Sequence, residues 1–345
     1  MRERVRLWIA ACFYYSGLVK LAYWRLQRGG PRLVILNYHQ ASASNLRDHL
    51  LYLRRHYRLL HLEAALEELY GAQPPNKRLN DRRMPLVLTF DDGYRDNYTH
   101  AFPLAQALQV PMTIFLVPGY IRSGERFWWL EGKRLAASVT TDEATIDGRI
   151  YRLSQPGERD ALAHAIDTRL RSATSVEQRE ALLREVRQAL RIRDEVIPGE
   201  EGERPMTWTE AREMDASAWV SFGAHTMHHP VLAALADPLE IRREVEECRR
   251  VLEQELGHQV RAFAYPIGKP EHFGERGVQA VKSAGYTWAV TTCEEVNTPQ
   301  CDQYLLRRLP GVVEKHWLVM ASELVGLLGI VSRVNNYLNL RQVAK

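Results

Sequence analysis

From residue 31 onward the chain alternates short apolar runs, rich in β-branched and aromatic residues, with longer amphipathic stretches. "RLVILNYH" has the pattern of a buried strand and is followed by the helical "LRDHLLYLRRH". "PLVLTF" and "MTIFLV" flank the helical "YRDNYTHAFPLAQAL", and "WVSFGAH", "VRAFAYP" and "YTWAVTT" supply three later strands. Between these last runs the pattern predicts a long helix over 238–256, with Asp237 as its cap and Pro238 in its first turn, and a helix at "GVQAVKSAG". Strands alternating with helices of this length predict βα units around a parallel sheet. About seven such units fit a barrel better than an open sheet, and in a parallel barrel the reactive groups sit where strands end and loops begin. Asp91, His225 and Pro266 fall at such ends.

One region breaks the alternation. Between about 126 and 204 the chain carries charged helical sequence such as "SVEQREALLREVRQALRIRDE", too long for an ordinary loop. It predicts a helical insertion folded over the rim. The chain then divides into a basic aromatic N-terminal helix at 1–30, a barrel at 31–320 carrying the insertion, and a C-terminal helix at 321–345. There are no internal repeats or low-complexity segments.

Composition is that of an ordinary globular protein, and the formal net charge of +4 changes the picture only when it is divided. Residues 1–32 hold seven bases against Glu3 alone, so that segment is +6 and the rest is −2. A uniformly basic nucleic-acid binder is excluded. The four cysteines are scattered, with no CxxC, and predict free thiols in a reducing compartment. At the amino terminus the apolar run at 7–19 is 13 residues long, well short of the ~20 needed to span a bilayer. Its aromatic residues are interleaved with bases, which suits an anionic membrane surface, while packing on its own domain is the competing role. The resulting expectation is a cytoplasmic protein, peripheral on the inner face of the membrane, with an exported form as the alternative. "WLVMASELVGLLGIV" carries Glu323 inside it and predicts a packed C-terminal helix.

The chemistry starts at "TFDDGYRDN", where Asp91 and Asp92 stand side by side at the end of a strand. Adjacent acids repel and gain nothing from burial, so a structural role is hard to supply. A second signal is "GAHTMHHPVL". His225 and His229 are spaced to share one face of a helical turn, and His228 offers a competing pair with His225. Two imidazoles and one carboxylate make a three-ligand site for a catalytic divalent metal, with a position left for water. A metal there acidifies water and polarises a carbonyl, and a carboxylate left off the metal can act as general base.

"TFDDG", "HTMHHP" and "FAYPIG" resemble the three leading motifs of the polysaccharide deacetylases, the NodB-homology group of carbohydrate esterases. "LNYHQ" and "MTWTEAREM" resemble that family's longer bacterial members. The resemblance implies a distorted (β/α) barrel and removal of an N-acetyl group from a sugar or polysaccharide. It implies Asp91 as base, Asp92, His225 and His229 as ligands of zinc or a similar divalent ion, and the Ile267 N–H as oxyanion donor. Ala264 stands where the family carries an arginine that orients the base, and Arg307 and Arg308 are the candidates to replace it. His39 is the candidate general acid, with a satisfied core histidine as its competing role, and His316 lies in helical "EKHWLV". Two other readings accompany this one: a deacylase or deformylase of a lipid-linked sugar at the cytoplasmic membrane face, and a non-catalytic carbohydrate-binding barrel. An ester substrate would pass through the same kind of oxyanion.

Overall fold

The computed structural model describes residues 2–42, 45–71, 81–192 and 201–328. Its strands are β1 (Val34–Tyr38), β2 (Arg58–Leu59), β3 (Pro85–Phe90), β4 (Met112–Leu116), β5 (Glu143–Ile146), β6 (Arg149–Arg152), β7 (Val220–Ala224), β8 (Ala262–Ala264), β9 (Trp288–Val290) and β10 (Leu309–Pro310). Eight of them form one parallel sheet in the order β10-β1-β3-β4-β7-β8-β9, with β2 beside the start of β3. The sheet curls into a barrel-like form. Leu306 bridges Val290 of β9, and three residues later Leu309 pairs with Leu36 of β1, so one short segment touches both edges.

Period-two alternation sorts each strand's side chains between two cores. Ile35, Val87, Phe115, Ala262, Val290 and Leu306 point inward and pack against Leu62, Ala65, Leu66 and Leu69 of the helix Leu62–Tyr70, which fills the lower end. Leu36, Leu88, Ile114, Phe222 and Phe263 point outward, under helices that include Leu46–His56 and Pro238–Leu256. At the upper end the inward positions turn polar: Asn37, Thr89, Asp91, His225 and Arg308 continue the same rows and are all buried. A barrel packed with hydrocarbon below and buried polar groups above needs a reason for the latter, because each costs free energy unless it is paired.

The insertion is more than helical. The helices Trp128–Ser138, Glu158–Arg171 and Val176–Ala189 enclose the β5–β6 hairpin. They share a separate core that takes in Tyr94, Val117 and Tyr120 from the barrel rim. At the hairpin tip Asp147 (φ 52°) and Gly148 (φ 78°) supply the paired left-handed residues of a two-residue turn.

The amino-terminal segment is two helices, Arg2–Tyr15 and Leu18–Arg28, broken at Gly17 with φ 81°. The first lays Ala10 against Leu318 and Val319, stacks Tyr14 edge-on against Trp317 at 5.0 Å and pairs Arg6 with Glu323. The carboxy-terminal helix runs over Trp317–Leu324, and residues 329–345 of the expected C-terminal element lie outside the described residues.

Candidate active site

Asp91 continues β3, its N–H donating to the Tyr38 carbonyl of β1, and His225 continues β7, donating to Leu116 of β4. The sheet therefore brings the two motifs to one rim. Asp92 turns away with φ 76°, and the loop 225–229 does not form the helical turn that its spacing suggested. Thr226 (φ 64°) and His229 (φ 55°) are both left-handed, and the Thr226 hydroxyl accepts from the His229 N–H at 2.9 Å. Among the described residues seven non-glycines have positive φ, and Asp92, Thr226, His229 and Ile267 are four of them. Strained backbone gathered at one rim marks a site whose geometry is held by its surroundings.

Those surroundings are identifiable. The Trp128 indole donates to the His229 carbonyl at 3.0 Å, and Arg179 donates to the His228 carbonyl at 3.0 Å. Glu244 takes both the His228 ring and its backbone N–H. Gly119 donates to the Met227 carbonyl, and a Cβ there would lie 2.4 Å from that oxygen, so only glycine allows the approach.

The result is a buried group of Asp92, His225 and His229 whose ligand atoms all lie within 4.8 Å of one another. The His225 Nδ1 donates to the Ala264 carbonyl at 2.7 Å, which leaves the Nε2 lone pair facing Asp92 Oδ1 at 3.4 Å. His229 Nε2 lies 3.6 Å from the same oxygen. That Asp92 oxygen is buried and has no hydrogen-bond partner among the described residues. Burial disfavours a proton on both rings. At His225 the Asp92 and Asp91 carboxylates outweigh it and raise the pKa, while at His229 burial and the neighbouring His225 push the pKa well down. An orphaned carboxylate oxygen facing two imidazoles fits a divalent cation by donor type and spacing. His228, held by Glu244, is outside the group.

Asp91 is committed differently. Arg308 forks onto it with Nη1 to Oδ1 at 2.7 Å and Nη2 to Oδ2 at 2.8 Å, and both side chains are buried. The guanidinium also donates to the Thr291 carbonyl, Asn37 and Thr89. Burial alone would raise the Asp91 pKa, but the Arg308 charge dominates and holds it at about 2. Positions 306, 308 and 310 face inward, so Arg307 points outward to Glu295 and does not reach Asp91. Of the two candidate arginines it is Arg308 that pairs with Asp91.

These groups open into a cleft of about 1020 Å³. Ile267 lines it with φ 61°, and its N–H donates to no acceptor among the described residues. His39 is exposed on the rim, so the core-histidine role expected for it is overturned. Its loop is tied down by Asn97, which donates to the His39 carbonyl, and by Asp96, which accepts from Ala41 and Ser42. His316 caps the carboxy-terminal helix instead of entering the cleft. Trp129, which the motifs do not single out, packs its ring on His229 at 4.1 Å and donates from its indole to the Tyr94 hydroxyl at 2.8 Å. The tryptophan pair in "RFWWLEG" was the available signal.

A family model described as polysaccharide deacetylase matches residues 78–289. None of the curated proteins compared with the chain matches it. Among solved structures, the Streptococcus pyogenes deacetylase PplD, in complex with acetate, superposes with a TM-score of 0.55 at 17% identity, over 84% of this chain and 97% of that one. IcaB from Ammonifex degensii gives a TM-score of 0.54 at 20% identity, over 85% and 97%. The deacetylase domain of BpsB from Bordetella bronchiseptica gives 0.50 at 16% identity, over 81% and 95%. At these identities the likeness shows a shared fold, the curled parallel barrel of the NodB type.

Proposed function

Because the chain belongs to the polysaccharide deacetylase family, hydrolases acting on carbon–nitrogen bonds of acylated sugars, we propose that it removes an N-acetyl group from a glycan with a divalent metal and an aspartate base. The observation that carries this reading is the division of labour between adjacent acids: Asp92 faces two imidazoles with an orphaned oxygen, and Asp91 is forked onto Arg308. Asp92, His225 and His229 would hold the ion, zinc or a similar one. When bound it supplies a Lewis acid that acidifies the attacking water and polarises the acyl oxygen. Asp91, kept ionised by Arg308, takes the water's proton, and the two-point fork keeps its carboxylate aimed at the cleft. The Ile267 N–H donates to the developing oxyanion. His39 is the histidine lining the cleft that is not in the Asp-His-His group, and it protonates the leaving amine.

The test is acetate release from matched N-acetylated and O-acetylated oligosaccharides, with and without a chelator. Release from the amide series that stops on chelation and returns with zinc supports the reading. Equal release in the presence of chelator, or release from esters alone, contradicts it.

A second reading, a lipid-linked glycan processed at a membrane face, is favoured by the amino-terminal helices. No single described helix is long and apolar enough to cross a membrane, although Glu3–Tyr15 and Leu18–Arg28, bent by 69°, pass that test as a pair. Their outer faces leave Trp8 at 70% and Tyr15 at 76% exposure, together with Leu18, Leu21 and Trp24. We propose that this surface docks on anionic lipid, its aromatic rings at the headgroup boundary and its bases among the phosphates.

A further inference from the structure

The loop that carries His229 is braced from the insertion. It joins β7 to the helix Pro238–Leu256, and the left-handed backbone of Thr226 and His229 costs free energy unless its surroundings hold it. Two consecutive carbonyls of the loop accept from insertion side chains: His228 from Arg179 Nη1 and His229 from the Trp128 indole, each at 3.0 Å. Both donors are buried, and the Arg179 guanidinium lies over the Trp128 ring, 5.2 Å from its centroid. The insertion is also tied to the far end of the loop. The Ala236 N–H donates to the Thr174 carbonyl at 2.9 Å, and the Val176 N–H donates to Glu240 at 2.7 Å. Arg179 is a costly residue to bury, and a hydrocarbon side chain would fill the same space without that cost. Glu180 Oε1 accepts from its Nε and Nη2 at 3.1 and 2.7 Å, which leaves Nη1 for the His228 carbonyl. What the charged group adds is a planar strut, fixed on a carboxylate at one edge and on the ligand loop at the other.

Resting on the metal reading of Asp92, His225 and His229, we propose that Arg179 and Trp128 are positioning residues of the metal site. Acting through the backbone of residues 228 and 229, they hold the His229 imidazole toward Asp92, so an element outside the barrel sets how tightly a divalent ion is bound. Two effects of Arg179 oppose each other. A cation beside a metal site weakens it, so removing the charge alone would tighten binding, whereas removing the strut frees the loop. Glu180 meets the guanidinium at 2.7 Å and offsets its charge, so loss of the strut dominates.

The experiment measures zinc affinity, by competition with a chromophoric chelator, on the folded full chain stripped of metal. Wild type is compared with Arg179→Met, with Trp128→Phe, which loses only the indole donor, and with Arg159→Met as a control. Arg159 donates to the Ala136 and Val139 carbonyls inside the insertion, so its loss loosens that element without touching the ligand loop. Arg179→Met is expected to weaken zinc about 10–100-fold and Trp128→Phe about tenfold, as for other partners that orient a metal ligand. The double variant should lose less than the product of the two, because both bonds brace one loop. Arg159→Met should stay within about twofold of wild type. A merely structural role would destabilise apo and zinc-bound protein alike and leave the dissociation constant of the folded protein unchanged, so melts of the apo variants are run alongside. Arg179→Met that binds zinc as tightly as wild type, or more tightly, overturns the proposal, and so does equal weakening in Arg159→Met. If Arg179→Met does not fold, Trp128→Phe decides by the same criterion. Wild-type protein that takes up no zinc would overturn the metal reading itself, a result distinct from stoichiometric zinc held equally by every variant.

Discussion

Arg308 reaches Asp91 because 306, 308 and 310 alternate inward on the segment that joins the barrel's edges. Its neighbour Arg307, one step along, is turned outward by the same alternation. Removing the guanidinium strands a buried carboxylate: Arg308→Ala should lower stability by about 3–5 kcal/mol in denaturant titration. Arg308→Lys keeps the charge but loses the fork, and should cut turnover by about 10–100-fold with metal content unchanged. Wild-type turnover in the lysine variant would show that orientation of Asp91 is unimportant. The two aspartates and two histidines were legible in the sequence because strand ends and a proline flank them. The choice between Arg307 and Arg308 was not, since it depends on a register that only the closing of the sheet defines.

The site's loops depart from what spacing alone suggests. Residues 225–229 read as a helical turn, yet two left-handed residues and outside contacts from Gly119, Trp128, Arg179 and Glu244 decide their shape. Such contacts come from elements far along the chain and leave no local trace. The β5–β6 hairpin was legible in principle, for "EATIDGRIYR" is an Asp-Gly turn between alternating strands, but the charged helices around it dominated the pattern. Within the insertion Glu131 is the buried hub for Arg134 and Arg187. Burial would raise its pKa, but the two arginines win and hold it below the ordinary 4.5. Its stabilising contribution is therefore complete above that value and is lost as pH falls through the lower folded value. Glu131→Gln should destabilise the protein by about 3 kcal/mol at neutral pH, because Arg134 and Arg187 each lose a charged contact with a buried carboxylate. The difference from wild type should shrink below pH 4.5, as followed by thermal melts; a constant difference would mean that ionised Glu131 is not the source.

At the scale of the whole molecule, the amino-terminal segment is a basic, aromatic pair of helices where the sequence suggested one, and the parallel barrel ends in an open cleft. Both roles weighed for the first helix have structural counterparts, one face packed against Leu318 and Val319 and another presenting Trp8 and Tyr15. Co-sedimentation with anionic vesicles should fall steeply in the double variant Trp8→Glu, Trp24→Glu and in high salt, since exposed charges act over only ~8 Å at physiological ionic strength. Binding that ignores both changes would remove this surface from the account.

If the adjacent acids Asp91 and Asp92 do different jobs, metal content and turnover should separate in single variants. Asp91→Asn should keep its metal while turnover on an N-acetylated glycan drops ~10²–10⁴-fold, as for a lost general base. His229→Ala should lose the metal, and His228→Ala should keep it. Metal lost from Asp91→Asn would make Asp91 a ligand, and near-full turnover in that variant would mean that it is not the base.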